Sequence, residues 1–178
     1  MKKSLSFTST LMISIVIFYL SSLLIPGSSF ASDASVLRIE TGMHTAVIKR
    51  IGIDAQNRFL ITGSDDKTVR VWELETGTLL KTLRPPIGKG NEGKIYAVAI
   101  SPDCRTVAAG GWTRSKWARK HSIYLFDRAT GTITGRIKDL PNVIYHLSFS
   151  PDGRFLAATL GVGSGVRVFK SSRGWELT

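Results

Sequence analysis

Apolar and polar residues alternate with period two through most of the chain after residue 44, and the alternating stretches recur. "TAVIKRIGI" (45–53), "KIYAVAI" (94–100) and "NVIYHLSF" (142–149) form one set. "IDAQNRFLIT" (53–62), "ISPDCRTVAA" (100–109) and "FSPDGRFLAA" (149–158) form a second, aligned without gaps so that Arg58, Arg105 and Arg154 coincide. "TVRVWELETG" (68–77), "SIYLFDRATG" (122–131) and "GVRVFKSSRG" (165–174) form a third, with Trp72, Phe126 and Phe169 in one column. "LLKTL" (79–83) and "TITGRI" (132–137) supply a fourth strand. Alternation at period two marks a strand with one buried face, and the Gly, Asp, Asn and Pro clusters between the runs are turn signals. The repeats are 47 and 49 residues apart, room for one four-stranded sheet and its connections. The pattern predicts an all-β chain of about three four-stranded antiparallel sheets at 44–84, 93–138 and 142–178. A further strand at 35–40 precedes them.

The first thirty residues follow a different logic. Lys2 and Lys3 give a positive start, residues 11–25 are an almost unbroken apolar run, and Pro26 and Gly27 break any helix. Ser29 and Ala31 are the small residues before a cleavage point. This is the layout of a secretory signal peptide. Residues 1–31 are therefore expected to be a signal helix cleaved after Ala31, leaving 32–178 exported to a periplasmic or extracellular space with no stable membrane span. The alternative is an uncleaved signal that anchors the chain, although fifteen apolar residues fall short of the about 20 that cross a bilayer.

The formal net charge is +11, which favours acidic partners. No run of five or six like charges appears, and export disfavours a nucleic-acid role. Cys104 is the single cysteine, so an intramolecular disulfide is excluded. His44, His121 and His146 are too dispersed for zinc spacing. No metal, no cofactor and no catalytic constellation is expected. Cys104 stands in a turn column where residue 153 is glycine, a position that favours positive φ.

The repeated segments resemble the WD-repeat β-propeller family over nearly all of the chain after residue 36. The order of "GSDDKTVRVWELETG", "GNEGKIYAVAISPD" and "LPNVIYHLSFSPDGRFLAATLG" is closest in look to the propeller part of bacterial proteins whose WD repeats accompany a caspase-like peptidase domain. The resemblance implies a partial propeller of four-stranded blades. It also implies a buried structural tetrad, matched in the first blade by His44, Asp66, Thr68 and Trp72. The second and third blades carry Phe126 and Phe169 in place of tryptophan and so depend on packing.

In the resembled family the long connections open on one face. Here these are 84–93, 112–121 and 160–165. The 112–121 stretch interleaves Trp112 and Trp117 with Arg114, Lys116, Arg119 and Lys120, residue types suited to an interface. The function expected is an exported, non-catalytic scaffold for protein–protein interaction. Alternatives are a regulatory propeller remnant of a caspase-like peptidase protein, or a basic surface for acidic polymers or lipid headgroups. Three blades are too few to close a ring. The chain is either a fragment of a longer propeller or a homodimer closing a six-bladed ring, with strand 35–40 of one copy completing the third blade of the other.

Overall fold

A computed structural model describes residues 42–114 and 119–178. The signal segment 1–31, the strand expected at 35–40, Lys116 and Trp117 lie outside the described residues. The described residues form three antiparallel four-stranded sheets. The first holds β1 Ile48–Ile53, β2 Phe59–Ser64, β3 Val69–Glu73 and β4 Leu79–Leu83. The second holds β5 Lys94–Ile100, β6 Thr106–Trp112, β7 His121–Asp127 and β8 Ile133–Leu140. The third holds β9 Ile144–Phe149, β10 Phe155–Leu160, β11 Val166–Lys170 and β12 Glu176–Leu177, with a 3-10 turn at Ser171–Arg173. Within each sheet the strands follow chain order, so each is a meander that local turns can set.

The turn between the first two strands of every sheet uses one device. The Asp54 carboxylate accepts the N–H groups of Arg58 at 2.7 Å and Phe59 at 2.6 Å. In the second sheet Ser101 Oγ accepts from Thr106 N and Asp103 accepts from Arg105 N. Ser150 and Asp152 do the same for Phe155 and Arg154. The fourth turn residue has positive φ in all three: Asn57 at 55°, Cys104 at 60° and Gly153 at 70°. For Cys104 this costs about 1 kcal/mol relative to glycine. The thiol gains in return, donating to Gln56 Oε1 at 2.8 Å and reaching Asp54 Oδ2 at 3.1 Å in the neighbouring sheet.

The sheets stack through two apolar cores. Ile61, Val69, Val71 and Leu83 of the first sheet meet Ile95, Val98, Val107, Tyr124 and Phe126 of the second. Ile123, Leu125 and Ile137 of the second meet Ile144, Leu147, Leu156 and Phe169 of the third. Stacking is close enough to need glycine at two equivalent places. A Cβ on Gly63 would sit 2.7 Å from Ile95 Cγ2, and one on Gly110 would sit 2.9 Å from Ile144 Cγ2. The strands β1, β5 and β9 line the inner edges of the stack.

The outer strand of the third blade is short. Glu176 and Leu177 pair with Lys170 and Phe169, and the Thr178 N–H donates to Val168 O at 2.9 Å.

Candidate functional site

Two constellations stand out at the end of the sheets where β1, β5 and β9 begin. The first is a hydrogen-bonded chain in the first sheet. His44 Nδ1 lies 2.8 Å from Asp66 Oδ2, and its Nε2 lies 2.7 Å from Thr62 Oγ1. Trp72 Nε1 donates to the same Thr62 hydroxyl at 2.9 Å, and Thr68 Oγ1 donates to Asp66 Oδ1 at 2.6 Å. With the imidazole proton on Nδ1, each donor finds an acceptor: Trp72 to Thr62, Thr62 to His44, His44 to Asp66. The Thr68 hydroxyl makes a longer contact to Nδ1 at 3.4 Å, so the short bonds of the imidazole run to Asp66 and Thr62. Thr62 was not singled out from the sequence. Only the β2–β3 register, with Leu60 opposite Trp72 and Thr62 opposite Arg70, places it on the Trp72 face.

The side chains of His44 and Asp66 are 2% and 7% exposed. Burial pushes the Asp66 carboxyl up, but the hydrogen bonds from Thr68, His44 and the Thr45 N–H outweigh it and hold the group below the usual carboxylate range. A buried carboxylate whose two oxygens are fully partnered is built to hold structure. In the second and third sheets the column of Trp72 is filled by Phe126 and Phe169, both buried in the cores between sheets. In the second sheet the Thr113 hydroxyl accepts the Ser122 N–H at 3.0 Å, and Arg136 Nε donates to Ser122 Oγ at 3.0 Å.

The second constellation arises from three β-bulges. The β1–β2 register shifts between Ile48 and Arg50, the β5–β6 register between Ile95 and Ala97, and the β9–β10 register between Ile144 and His146. Each shift leaves one residue without a cross-strand partner: Lys49, Tyr96 and Tyr145. A bulge re-aims a side chain and recurs beside binding sites. Here all three side chains, with Arg50, line one cavity of about 360 Å³. The rings of Tyr96 and Tyr145 are nearly parallel, 10° apart, with centroids 6.0 Å apart. Arg50 Nη2 donates to Tyr145 O at 3.2 Å, linking the first sheet to the third. Asp65 Oδ2 stands 3.7 Å from Lys49 Nζ and 3.6 Å from Lys94 Nζ. Burial first, then the negative charge of Asp65, pushes the Tyr96 hydroxyl up, so it remains a donor at neutral pH.

The basic and aromatic loop residues divide. Trp112 ends β6 and is half-buried, its ring edge-on to His121 at 5.9 Å. Arg114, Arg119 and Lys120 are exposed on the connection that follows. Lys116 and Trp117 lie outside the described residues, so the loop as a unit is not assembled here. Among the described residues no three His, Cys, Asp or Glu side chains gather to hold a metal ion.

Comparison with known proteins gives the chain its relatives. It is similar to the "Ribosome biogenesis protein BOP1 homolog" of Culex quinquefasciatus, 45% identical over 67 residues, which is 38% of this chain and 8% of that protein. It is also similar to the protein of the same description from Drosophila persimilis, 38% identical over 62 residues, 35% of this chain and 7% of the relative. The chain thus spans less than a tenth of the length of the curated relatives it matches. These relatives correct the expectation of an exported protein, periplasmic, extracellular or held at a membrane by its signal. The apolar run at 11–25 suggested export, but the similar proteins are eukaryotic and described by ribosome biogenesis. The reading of a bacterial protein falls with it.

The family described as "WD domain, G-beta repeat" matches residues 38–73, 77–127 and 130–170. Its second and third matches each take the outer strand of one sheet with the three inner strands of the next, β4 to β7 and then β8 to β11. With three such repeats, three four-stranded blades and most of its length matched, the chain belongs to the WD-repeat family.

Proposed function

We propose that this chain is a non-catalytic scaffold that holds a protein partner on the end of the blades where β1, β5 and β9 begin. One observation carries the reading: the bulges at Lys49, Tyr96 and Tyr145 recur at one position of three successive blades and turn their side chains into one cavity. Rigid strands hold that surface, and the connections 84–93 and 161–165 fall at the same end of the blades. Membership of a repeat family that works by presenting surfaces supports a scaffold. The relatives' description as ribosome biogenesis proteins supports work within a multi-component assembly. The narrower likeness to propellers that accompany a caspase-like peptidase gains no support from the relatives and forms no part of the proposal. His44, Asp66, Thr68 and Trp72, with Thr62, serve as the internal tie of the first blade. Trp112, Arg114, Arg119 and Lys120 serve as the rim of the docking face.

Co-purification of tagged chain from its own cells tests this. Tyr96→Ala with Tyr145→Ala is expected to lose the partner set retained by the wild type. Thr130→Ala, on the exposed turn at the opposite end of the second blade, is expected to retain it. Loss by Thr130→Ala and retention by the tyrosine pair would overturn the reading.

A further inference from the structure

The cavity at Tyr96 and Tyr145 has a chemical character that narrows its partner. Two cations, Lys49 and Arg50, line it, and Lys94 stands next to Lys49 across the one carboxylate they share, Asp65. Both lysines can reach outward, since the Lys49 side chain is 41% exposed and that of Lys94 28% exposed. Asp65 is held back, its side chain 18% exposed. The guanidinium of Arg50 donates to Tyr145 O, but its Nε–H is buried with no acceptor among the described residues. A buried donor without a partner is costly, and a carboxylate with two oxygens is the acceptor a guanidinium fits best. Tyr145 is 49% exposed and adds an apolar ring and a hydroxyl at the rim. The two rings are already stacked on one another, which leaves no slot between them for a nucleobase. About 360 Å³ lies within the range of ligand pockets, roughly 300–1,000 Å³.

We infer that this cavity takes an acidic, extended segment of a protein partner, with a carboxylate on Arg50, a second on Lys49 or Lys94, and its chain laid across Tyr145. The inference rests on the proposed docking face and specifies its chemistry. Exposed Arg114, Arg119 and Lys120 follow β6 at the same end of the second blade. They extend the positive field that draws such a segment in and raise its association rate more than its final affinity.

Fluorescence anisotropy on the full chain tests it. The probe is a labelled octapeptide alternating Glu and Gly. Comparators are its Gln–Gly counterpart and an oligouridylate of equal charge. The Glu peptide is expected to bind and the Gln peptide not to bind. Arg50→Gln is expected to weaken the Glu peptide by about 10-fold and Arg50→Lys by less, as a charged, bidentate contact becomes a point charge. Because Arg50 also links two blades, Tyr145→Ala and Lys49→Gln serve as surface variants, each expected to weaken binding by about 3- to 10-fold. Absence of Glu-peptide binding, or binding indifferent to all of these variants, would overturn the inference. So would an oligouridylate that binds more tightly and loses affinity in the same variants, since that would make the cavity a phosphate site. Failure here, with the tyrosine pair still losing its partners on co-purification, would reject the acidic chemistry and leave the docking face standing.

Discussion

Replacing Asp66 with alanine is expected to cost about 3 kcal/mol of folding stability. Its two oxygens accept from His44 Nδ1, the Thr45 N–H, the Thr68 N–H and the Thr68 hydroxyl. Alanine strands these donors, and each buried donor left unmet costs about 1–3 kcal/mol. Asp66→Asn keeps one acceptor oxygen and is expected to cost roughly half as much. Trp72→Phe removes one donor to Thr62 and leaves the ring in place, for about 1 kcal/mol. The pH dependence follows from the lowered carboxyl. Because the folded value lies below the unfolded one, the contribution of Asp66 is complete above the unfolded carboxylate range, near pH 4. It is lost as pH falls through the folded value. Denaturant unfolding at pH 7 and at pH 3 checks both: the gap between wild type and Asp66→Ala is expected to be wide at pH 7 and to shrink at pH 3. A gap that is equal at the two pH values would remove the carboxylate from the account.

Phe126→Ala is expected to cost about 3–5 kcal/mol, the range for deleting a buried aromatic side chain. Phe126 is fully buried in the core shared by the first and second blades, opposite Val107 in the β6–β7 register. The second blade carries Phe126 in the column of Trp72 and so lacks that N–H donor, and apolar packing between blades carries the stability there. The loss is expected to uncouple the first blade from the second. Cys104, buried and held against Asp54 and Gln56 across that same contact, reports it. Thiol labelling in native buffer is expected to be slow in the wild type and fast in Phe126→Ala. A loss below about 1 kcal/mol, with the thiol still protected, would place the stability of this pair elsewhere.

Much of this architecture was legible because it is local. Period-two alternation and the repeated Asp, Ser and Pro turn chemistry set each hairpin, and the three four-stranded sheets follow. The positive φ at Cys104 could be read from the glycine in the equivalent column at 153. Thr62 could not be found the same way. A threonine in a strand looks ordinary, and only pairing across β2 and β3 brings its hydroxyl between Trp72 and His44. The bulged residues were half visible. Lys49, Tyr96 and Tyr145 repeat at the same 47 and 49 residues as the arginine column. Their types differ, however, and a bulge adds a residue that simple alternation hides. Trp112 was placed in a loop from its basic neighbours, yet it closes β6 against His121, because an aromatic at a strand end packs before it projects. The apolar run at 11–25 pointed to export, and its composition alone could not weigh that against the relatives.

Photo-crosslinking tests the central claim most directly. A benzophenone side chain is introduced at Tyr145 in one chain and at Thr130 in another, and each is irradiated in its own cells. A docking face at the bulges predicts a defined crosslinked protein from position 145 and none from position 130. Crosslinks to the same protein from position 130 alone, or to no protein from position 145, would contradict it.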